Sequence, residues 1–117
     1  MTTRFGDRTI VGFCEELTME GVNGSERHTA RIDTGATKSS IDIILASRLK
    51  LGPIIHSKAV KSAHGTRIRP IVEAEFEIGG RRIKAEFTLA DRGHMKYKVL
   101  IGQNVLRQGF LIDPQKR

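Results

Sequence analysis

The chain has few aromatic residues and a single cysteine. Aromatic residues make up 5% of its 117 residues, and there is no tryptophan. Recognition of nucleic acid by base stacking is therefore poorly supported, and we expect no nucleic-acid partner. The lone Cys14 cannot form an internal disulfide, which fits a reducing cytoplasm.

Long apolar stretches are also absent. No run approaches the roughly 18 apolar residues that a membrane span needs, so we expect no membrane partner. The opening residues 1–7 lack an apolar signal region, which favours a cytoplasmic location. The length suits one domain, and we expect that domain to cover residues 1–117.

The usual metal and nucleotide spacings are missing. The chain contains neither His-Glu-x-x-His nor Cys-x-x-Cys, and no Gly-x-x-x-x-Gly-Lys-Ser/Thr. We therefore expect no metal and no cofactor. A metal site assembled from distant residues, as in Asp33 with His64 and His94, stays open as an alternative.

Positive charge dominates the composition, with 20 Lys and Arg against 13 Asp and Glu and a formal net charge of +7. A well-solvated surface explains this excess most simply. The functional alternatives are an acidic substrate and a nucleic acid. Because aromatic residues are scarce, an acidic peptide suits the charge better.

The most informative segment is Arg31-Ile32-Asp33-Thr34-Gly35-Ala36. Asp and Gly suit an ordinary turn, but Asp-Thr-Gly after an apolar strand also resembles the catalytic segment of aspartic peptidases. That chemistry needs two carboxylates that share one proton. One chain supplies one Asp33, so the enzyme would be a homodimer with its active site on the two-fold axis.

Later segments resemble one particular family. Val99-Leu100-Ile101-Gly102 is similar to the second conserved element of retroviral-type aspartic peptidases. The longer runs 88–102 and 109–114 resemble a retropepsin-like family that is often labelled ATP-dependent zinc protease and is associated with RimK-type glutamate ligases. The sequence itself supports neither the zinc nor the ATP of that label.

This resemblance implies a fold and a set of catalytic residues. The fold would be mostly β, a small closed or partly open retropepsin-like barrel with one or two short helices. Asp33 would share a proton with its symmetry mate and polarise the attacking water. Thr34 would hydrogen-bond across the dimer axis, and Gly35 would leave room for substrate and for a backbone N–H directed at the carboxylate.

The segment 56–72 resembles the flap of this family, with its tip at Ala63-His64-Gly65. A flap closes over substrate and excludes water. Its basic residues could bind glutamate side chains, or they could be a solvated face. The substrate-binding candidates in the flap and the loops are Ala36, Lys61, Ser62, His64, Gly65, Arg67, Arg69, Ile101 and Gly102.

One departure from the viral pattern concerns the dimer. Viral members commonly have an acidic residue after Asp-Thr-Gly-Ala, paired with an arginine after the later glycine. Here these positions hold Thr37 and Gln103. Both partners of the ion pair are absent, so neither is left buried and unpaired. We expect the dimer contacts near the site to be made differently.

Alternating apolar and polar residues predict two hairpins. Segments 72–78 and 82–89 flank Gly79-Gly80, which suits a two-residue turn and pairs Phe76 with Ile83. The same register pairs Ala74 with Ala85, Glu77 with Arg82, and Glu75 with Lys84. A second hairpin joins a strand over 9–17 to one over 26–33 through a turn at 21–24.

Two short helices are predicted. Ser39-Ser40-Ile41-Asp42 reads as a capping box for the first. Its apolar stripe would comprise Ile41, Ile44, Leu45 and Leu49, and Gly52-Pro53 would end it. The second covers about 103–108 and stops at Gly109.

Together these features predict a homodimeric aspartic peptidase that hydrolyses peptide bonds through water activated between two Asp33 carboxylates. Acidic or glutamate-tailed peptides are the expected substrates, an inference from charge and from the family resemblance. Two alternatives stay open: a non-catalytic module that binds acidic peptides, and a metal-dependent hydrolase.

Overall fold

Strands account for most of the chain, as the alternating patterns predict. The computed structural model describes residues 3–63 and 65–116, apart from the side chains of Val60 and Ser62. In chain order, the strands and helices are β1 Arg4–Phe5, β2 Arg8–Val11, β3 Cys14–Gly21, β4 Gly24–Ile32, β5 Ser39–Asp42, α1 Ile43–Leu49, β6 Ile54–Ser62, β7 Gly65–Ile78, β8 Arg81–Ala90, β9 Val99–Ile101, α2 Gln103–Leu106 and β10 Phe110–Ile112.

Six strands form a closed barrel. They are hydrogen-bonded in the order β3-β4-β9-β5-β8-β7, and pairing between β3 and β7 closes the ring. The interior is apolar, and the rings of Phe76 and Phe87 meet edge to face with centroids 5.4 Å apart. The predicted small, mostly β barrel with two short helices is confirmed.

The hairpin of β7 and β8 has the predicted register. Phe76 pairs with Ile83, and Glu77 pairs with Arg82. The other two predicted pairs, Ala74 with Ala85 and Glu75 with Lys84, are also present. Gly79 and Gly80 have φ values of +58° and +77°, the positive pair that a type I′ turn requires. Alternation and turn chemistry therefore agree at this hairpin.

The N-terminal hairpin is only partly as predicted. The prediction of one continuous strand over 9–17 is wrong, because Gly12 and Phe13 separate two strands, β2 and β3. A Cβ at Gly12 would lie 2.5 Å from the carbonyl oxygen of Lys116. β2 therefore lies outside the barrel, in a separate sheet. In that sheet it pairs with β1 and also with β10, which runs parallel to it.

The predicted start of the first helix is also wrong. Residues 39–42 form the barrel strand β5, which pairs with β8 on one side and β9 on the other. The helix is capped by Asp42, whose Oδ2 accepts a hydrogen bond from the Leu45 backbone N–H at 3.3 Å. Ile41 lies in the strand, and Ile44 is 63% exposed. The second helix is shorter than predicted and ends at Leu106.

A charged cluster fastens α1 to β4. Arg48 donates two hydrogen bonds to the Glu26 carboxylate, at 2.7 Å from Nε and 2.8 Å from Nη2. The Nε2 atom of His28 lies 3.1 Å from the same carboxylate. The hydrogen bonds from Arg48 and then His28 lower the pKa of Glu26 from 4.5 to about 2. None of the helices in the described ranges is both long and apolar enough to cross a membrane.

Replacing Glu26 with Gln should destabilise the fold at neutral pH, but not in strong acid. Because folding depresses this pKa, the contribution of Glu26 is complete above its ordinary value of 4.5 and is lost as the pH falls through about 2. Urea denaturation of wild type and Glu26→Gln across that range measures the difference. The matched control is Glu16→Gln, since Glu16 forms a looser, exposed pair with Arg27 at 3.7 Å. A stability difference at Glu26 that does not change with pH would contradict this assignment.

Candidate active site

Asp33 leaves the barrel at the end of β4 in a defined conformation. Its backbone N–H donates to the carbonyl of Ile101 at 2.9 Å, which continues the pairing of β4 with β9. Its Oδ1 accepts the backbone N–H of Gly35 at 2.9 Å. The carboxylate is half-buried, while Thr34 and Gly35 are exposed in the single chain. The loop therefore orients Asp33 without covering it.

Gly102 lies directly against this loop. A Cβ at Gly102 would stand 2.7 Å from the carbonyl oxygen of Ala36 and 2.5 Å from that of Lys38. Its φ of −108° is open to any residue, so lack of space is what requires glycine here. The next N–H groups, of Gln103 and Asn104, donate to the carbonyls of Ala36 and Thr37 at 2.8 and 3.2 Å. The structure thus brings Asp33, Ala36, Ile101 and Gly102 together.

A buried hydroxyl supports this contact. Ser39 is fully buried, and its Oγ accepts the Gly102 N–H at 2.9 Å and donates to Asn104 Oδ1 at 2.8 Å. The Asn104 amide donates in turn to the carbonyl of Glu86 at 2.9 Å. The predicted capping role of Ser39 is therefore replaced by a role in fixing the loop.

Gln103 occupies the position at which viral members commonly have an arginine. Its side-chain amide donates to the Thr34 carbonyl at 2.8 Å. A neutral hydrogen bond within one chain thus holds the Asp-Thr-Gly segment. Because Thr37 and Gln103 are both neutral, the loss of the viral ion pair leaves no charge unpaired at these positions. Thr37 is exposed.

The loop over 91–98 contributes to the surroundings of the site, a role that was not predicted from the sequence. Asp42 organises it: its Oδ1 accepts the Arg92 N–H at 2.9 Å, and its own N–H donates to the Lys98 carbonyl at 2.8 Å. Tyr97 adds a link to β3, since its hydroxyl accepts the Cys14 thiol at 3.0 Å. Two signals in the sequence pointed to this loop: the family resemblance of residues 88–102, and Asp42 at the start of a predicted helix.

Arg92 is buried within this loop. Its side chain is anchored by a 3.0 Å hydrogen bond from Nε to the Tyr97 carbonyl. Burial lowers the pKa of Arg92, the nearby charges of Asp42 and Asp33 oppose that shift, and the charge of Arg31 adds to it. The charges of Arg31 and Asp33 therefore act on the Arg92 guanidinium.

The predicted flap is a hairpin of β6 with the start of β7. Lys61 pairs with Thr66 and Val60 with Arg67. His64 and the side chain of Ser62 lie outside the described residues. Lys61, Gly65 and Arg67 are exposed. Of the predicted binding residues, Arg67 and Arg69 line a cavity of about 390 Å³, together with Ile43, Ile68, Pro70, Leu89, Ala90, Asp91 and His94.

Glu86 connects the base of the flap to the candidate active-site loop. Its Oε1 lies 3.0 Å from Lys38 Nζ, just past the loop, and 3.3 Å from His56 Nε2 on β6. Lys38 is thus directed toward Glu86. Within residues 3–63 and 65–116, no three His, Cys, Asp or Glu residues are grouped so that they could hold a metal ion. The alternative set of Asp33, His64 and His94 includes a residue outside those ranges.

Comparison with known protein families identifies the family of the chain. The model of the RimB-like family, described as retropepsin-like aspartic endopeptidase RimB, matches residues 46–117, more than half of the chain. The chain belongs to the RimB-like family. The match covers the flap, the loop over 91–98 and the Gly102 element, and begins after Asp33. The family resemblance read from the sequence is confirmed.

Curated relatives of this RimB-like chain are larger proteins. Two proteins named probable alpha-L-glutamate ligase, from Shewanella pealeana and Shewanella halifaxensis, are each 27% identical over 112 residues. Each match covers 74% of this chain and 24% of the ligase. The chain therefore spans about a quarter of the length of the curated relatives that it matches.

Solved structures show the same fold. A Legionella pneumophila protein of unknown function has a TM-score of 0.65 at 18% identity, covering 92% of this chain and 94% of its own. EIAV protease, complexed with the inhibitor HBY-793, gives 0.62 at 20% identity and covers 80% and 84%. Simian foamy virus protease gives 0.60 at 20% identity and covers 80% and 91%. These similarities confirm the retropepsin-like fold.

Gly102→Ala should destabilise the protein by about 1–3 kcal/mol or more, because the new methyl group would overlap two backbone carbonyls. Urea denaturation measures the loss. Gly93→Ala is the matched control, since its Cβ would meet no atom closer than 3.7 Å. Equal stability of Gly102→Ala and wild type would show that the loop can move away from β9.

Proposed function

We propose that the chain is a homodimeric aspartic peptidase, with a catalytic water held between the Asp33 carboxylates of two copies. The observation that carries the proposal is the placement of Asp33. It follows a barrel strand, its Oδ1 accepts the Gly35 N–H, and its loop is fixed against Gly102. Membership of the RimB-like family and the retropepsin-like fold support the same chemistry. Residues 1–117 would act as one peptidase domain.

The proposed reaction is general acid–base hydrolysis. Two carboxylates in close contact cannot both ionise, so they share one proton. The ionised Asp33 takes a proton from water as the water oxygen attacks the scissile carbonyl carbon. The protonated Asp33 donates its proton to the carbonyl oxygen, which gives a tetrahedral diol. A proton then passes to the amide nitrogen, the C–N bond breaks, and an acid and an amine leave.

The exposed part of the loop supports a role for a second copy. Thr34 and Gly35 are uncovered in one chain, although their backbone is already held by hydrogen bonds from Gln103 and to Asp33. A surface that is rigid before association loses little conformational entropy when it is covered. We therefore place Thr34 and Gly35 at the contact between two copies, with Thr34 reaching across the two-fold axis.

Acidic or glutamate-tailed peptides are the proposed substrates. The net charge of +7 favours acidic partners, and Lys61, Arg67 and Arg69 make the flap basic. The Shewanella relatives named as glutamate ligases contain a segment similar to this chain. We therefore propose that this chain acts on glutamate chains. A cytoplasmic location belongs to the proposal, since the lone Cys14 suits a reducing compartment.

Asp33→Asn should abolish hydrolysis and leave the fold intact, because an amide can neither take nor share the required proton. The assay is a mass-spectrometric time course with a poly-glutamate-tailed peptide, in the presence and absence of a chelator. We expect cleavage by wild type, unaffected by the chelator, and none by Asp33→Asn. Circular dichroism and the melting temperature check the fold.

The matched control is Asp113→Asn. Asp113 forms the same local bond as Asp33, accepting the N–H of the residue two positions later at 2.9 Å, but after strand β10. This variant should cleave like wild type. Turnover by Asp33→Asn would sink the proposed mechanism, and chelator-sensitive cleavage restored by zinc would favour a metal-dependent hydrolase.

A further inference from the structure

Arg92 is a buried cation that lacks a direct counter-ion. It is 8% exposed, and within the described residues its side chain donates one hydrogen bond, to the neutral carbonyl of Tyr97. Among the ion pairs found in the described ranges, none involves Arg92. Burial of an unpaired charge is costly. An anion that reached the guanidinium would offset that cost.

Arg31 brings a second guanidinium to the same place. The carbonyl of Tyr97 accepts a hydrogen bond from Arg92, and the Tyr97 hydroxyl accepts one from the thiol of Cys14. Cys14 is paired with Arg31 in the register of β3 and β4. Arg31 precedes Asp33 by two residues, with the buried Ile32 between them. Because side chains alternate along a strand, Arg31 points to the side of β4 opposite the core, just before Asp33.

The nearby acids do not neutralise these two arginines by direct contact. The carboxylate oxygens of Asp42 accept the N–H groups of Arg92 and Leu45. Glu15 is paired with Lys116 at 2.7 Å, and Glu16 with Arg27. Among the described residues, Asp33 is the other acid whose charge acts on Arg92, and in the proposed mechanism it faces substrate. Two guanidinium groups are thus left for an anionic ligand beside Asp33.

We propose that Arg92 and Arg31 form a carboxylate-binding subsite beside Asp33, which receives a glutamate side chain close to the scissile bond. This rests on the proposed function, in that a peptide lies across Asp33. Lys61 and Arg67 of the flap are exposed, so water and salt weaken their attraction for an acidic peptide. Arg92 is largely buried, so water screens its charge less, and a charge-assisted hydrogen bond there discriminates more strongly between a carboxylate and a neutral amide.

Peptide binding tests the subsite directly. In the Asp33→Asn background, which leaves peptide uncleaved, fluorescence anisotropy would compare a glutamate-tailed peptide with its glutamine counterpart. We expect the glutamate peptide to bind about tenfold or more tightly, and Arg92→Met or Arg31→Gln to remove most of that preference while changing glutamine-peptide binding little. Arg27→Gln is the matched control, because it lies four residues earlier on the same side of β4 and should keep the preference.

The variants separate a binding role from a structural one. Arg92→Lys keeps the charge and should retain part of the preference, and Arg31→Gln changes an exposed residue if Arg92→Met fails to fold. An unchanged glutamate-to-glutamine ratio in folded Arg31→Gln, or an equal loss for both peptides in Arg92→Met, would overturn the proposal.

The outcome also separates this subsite from the proposed peptidase activity. Arginine-dependent glutamate binding without any Asp33-dependent cleavage would support the subsite and reject the peptidase. Asp33-dependent cleavage without an arginine-dependent preference would support the peptidase and reject the subsite.

Discussion

The contact between Gly102 and the carbonyls of Ala36 and Lys38 is the constraint on which the candidate active site depends. At this contact the Asp-Thr-Gly loop lies directly against the end of β9, where only a residue without a side chain fits. The buried Ser39 hydroxyl and the Asn104 amide then satisfy the polar groups that this close approach brings together. Asp33 is therefore positioned by the barrel itself. The proposed site, shared by two copies, would need that rigidity because catalysis depends on precise placement of both carboxylates.

Charge gives the molecule its second organising feature. Asp42 binds the loop over 91–98 through backbone groups, and within the described residues the guanidinium of Arg92 has the Tyr97 carbonyl but no carboxylate as a direct partner. The basic residues on the flap and the buried Arg92 would then attract an acidic peptide at different distances from the protein. The exposed charges would draw an acidic chain toward the protein, and the buried charge would select the residue that enters the site.

The sequence predicted local features well and non-local ones poorly. The register of β7 and β8 follows from alternation and from Gly79-Gly80, all within one hairpin. By contrast, Ser39 and Ile41 lie in a strand because β8 and β9 flank them, and neither neighbour is adjacent in the chain. Likewise, the break at Gly12 depends on Lys116, and the cluster of Asp42, Arg92, Tyr97 and Cys14 joins three separate segments. Motif reading selected Asp33 and Gly102, which the fold brings together, but it could not find residues that act only through tertiary contacts.

The most direct test of the central claim is a subunit-mixing experiment. Wild type and Asp33→Asn are refolded together in varied ratios at constant total concentration, and hydrolysis of a glutamate-tailed peptide is measured. If each site needs two Asp33 residues, activity falls with the square of the wild-type fraction, to about one quarter in an equal mixture. A linear fall, to about one half, would show that each copy carries a complete site and would contradict the account.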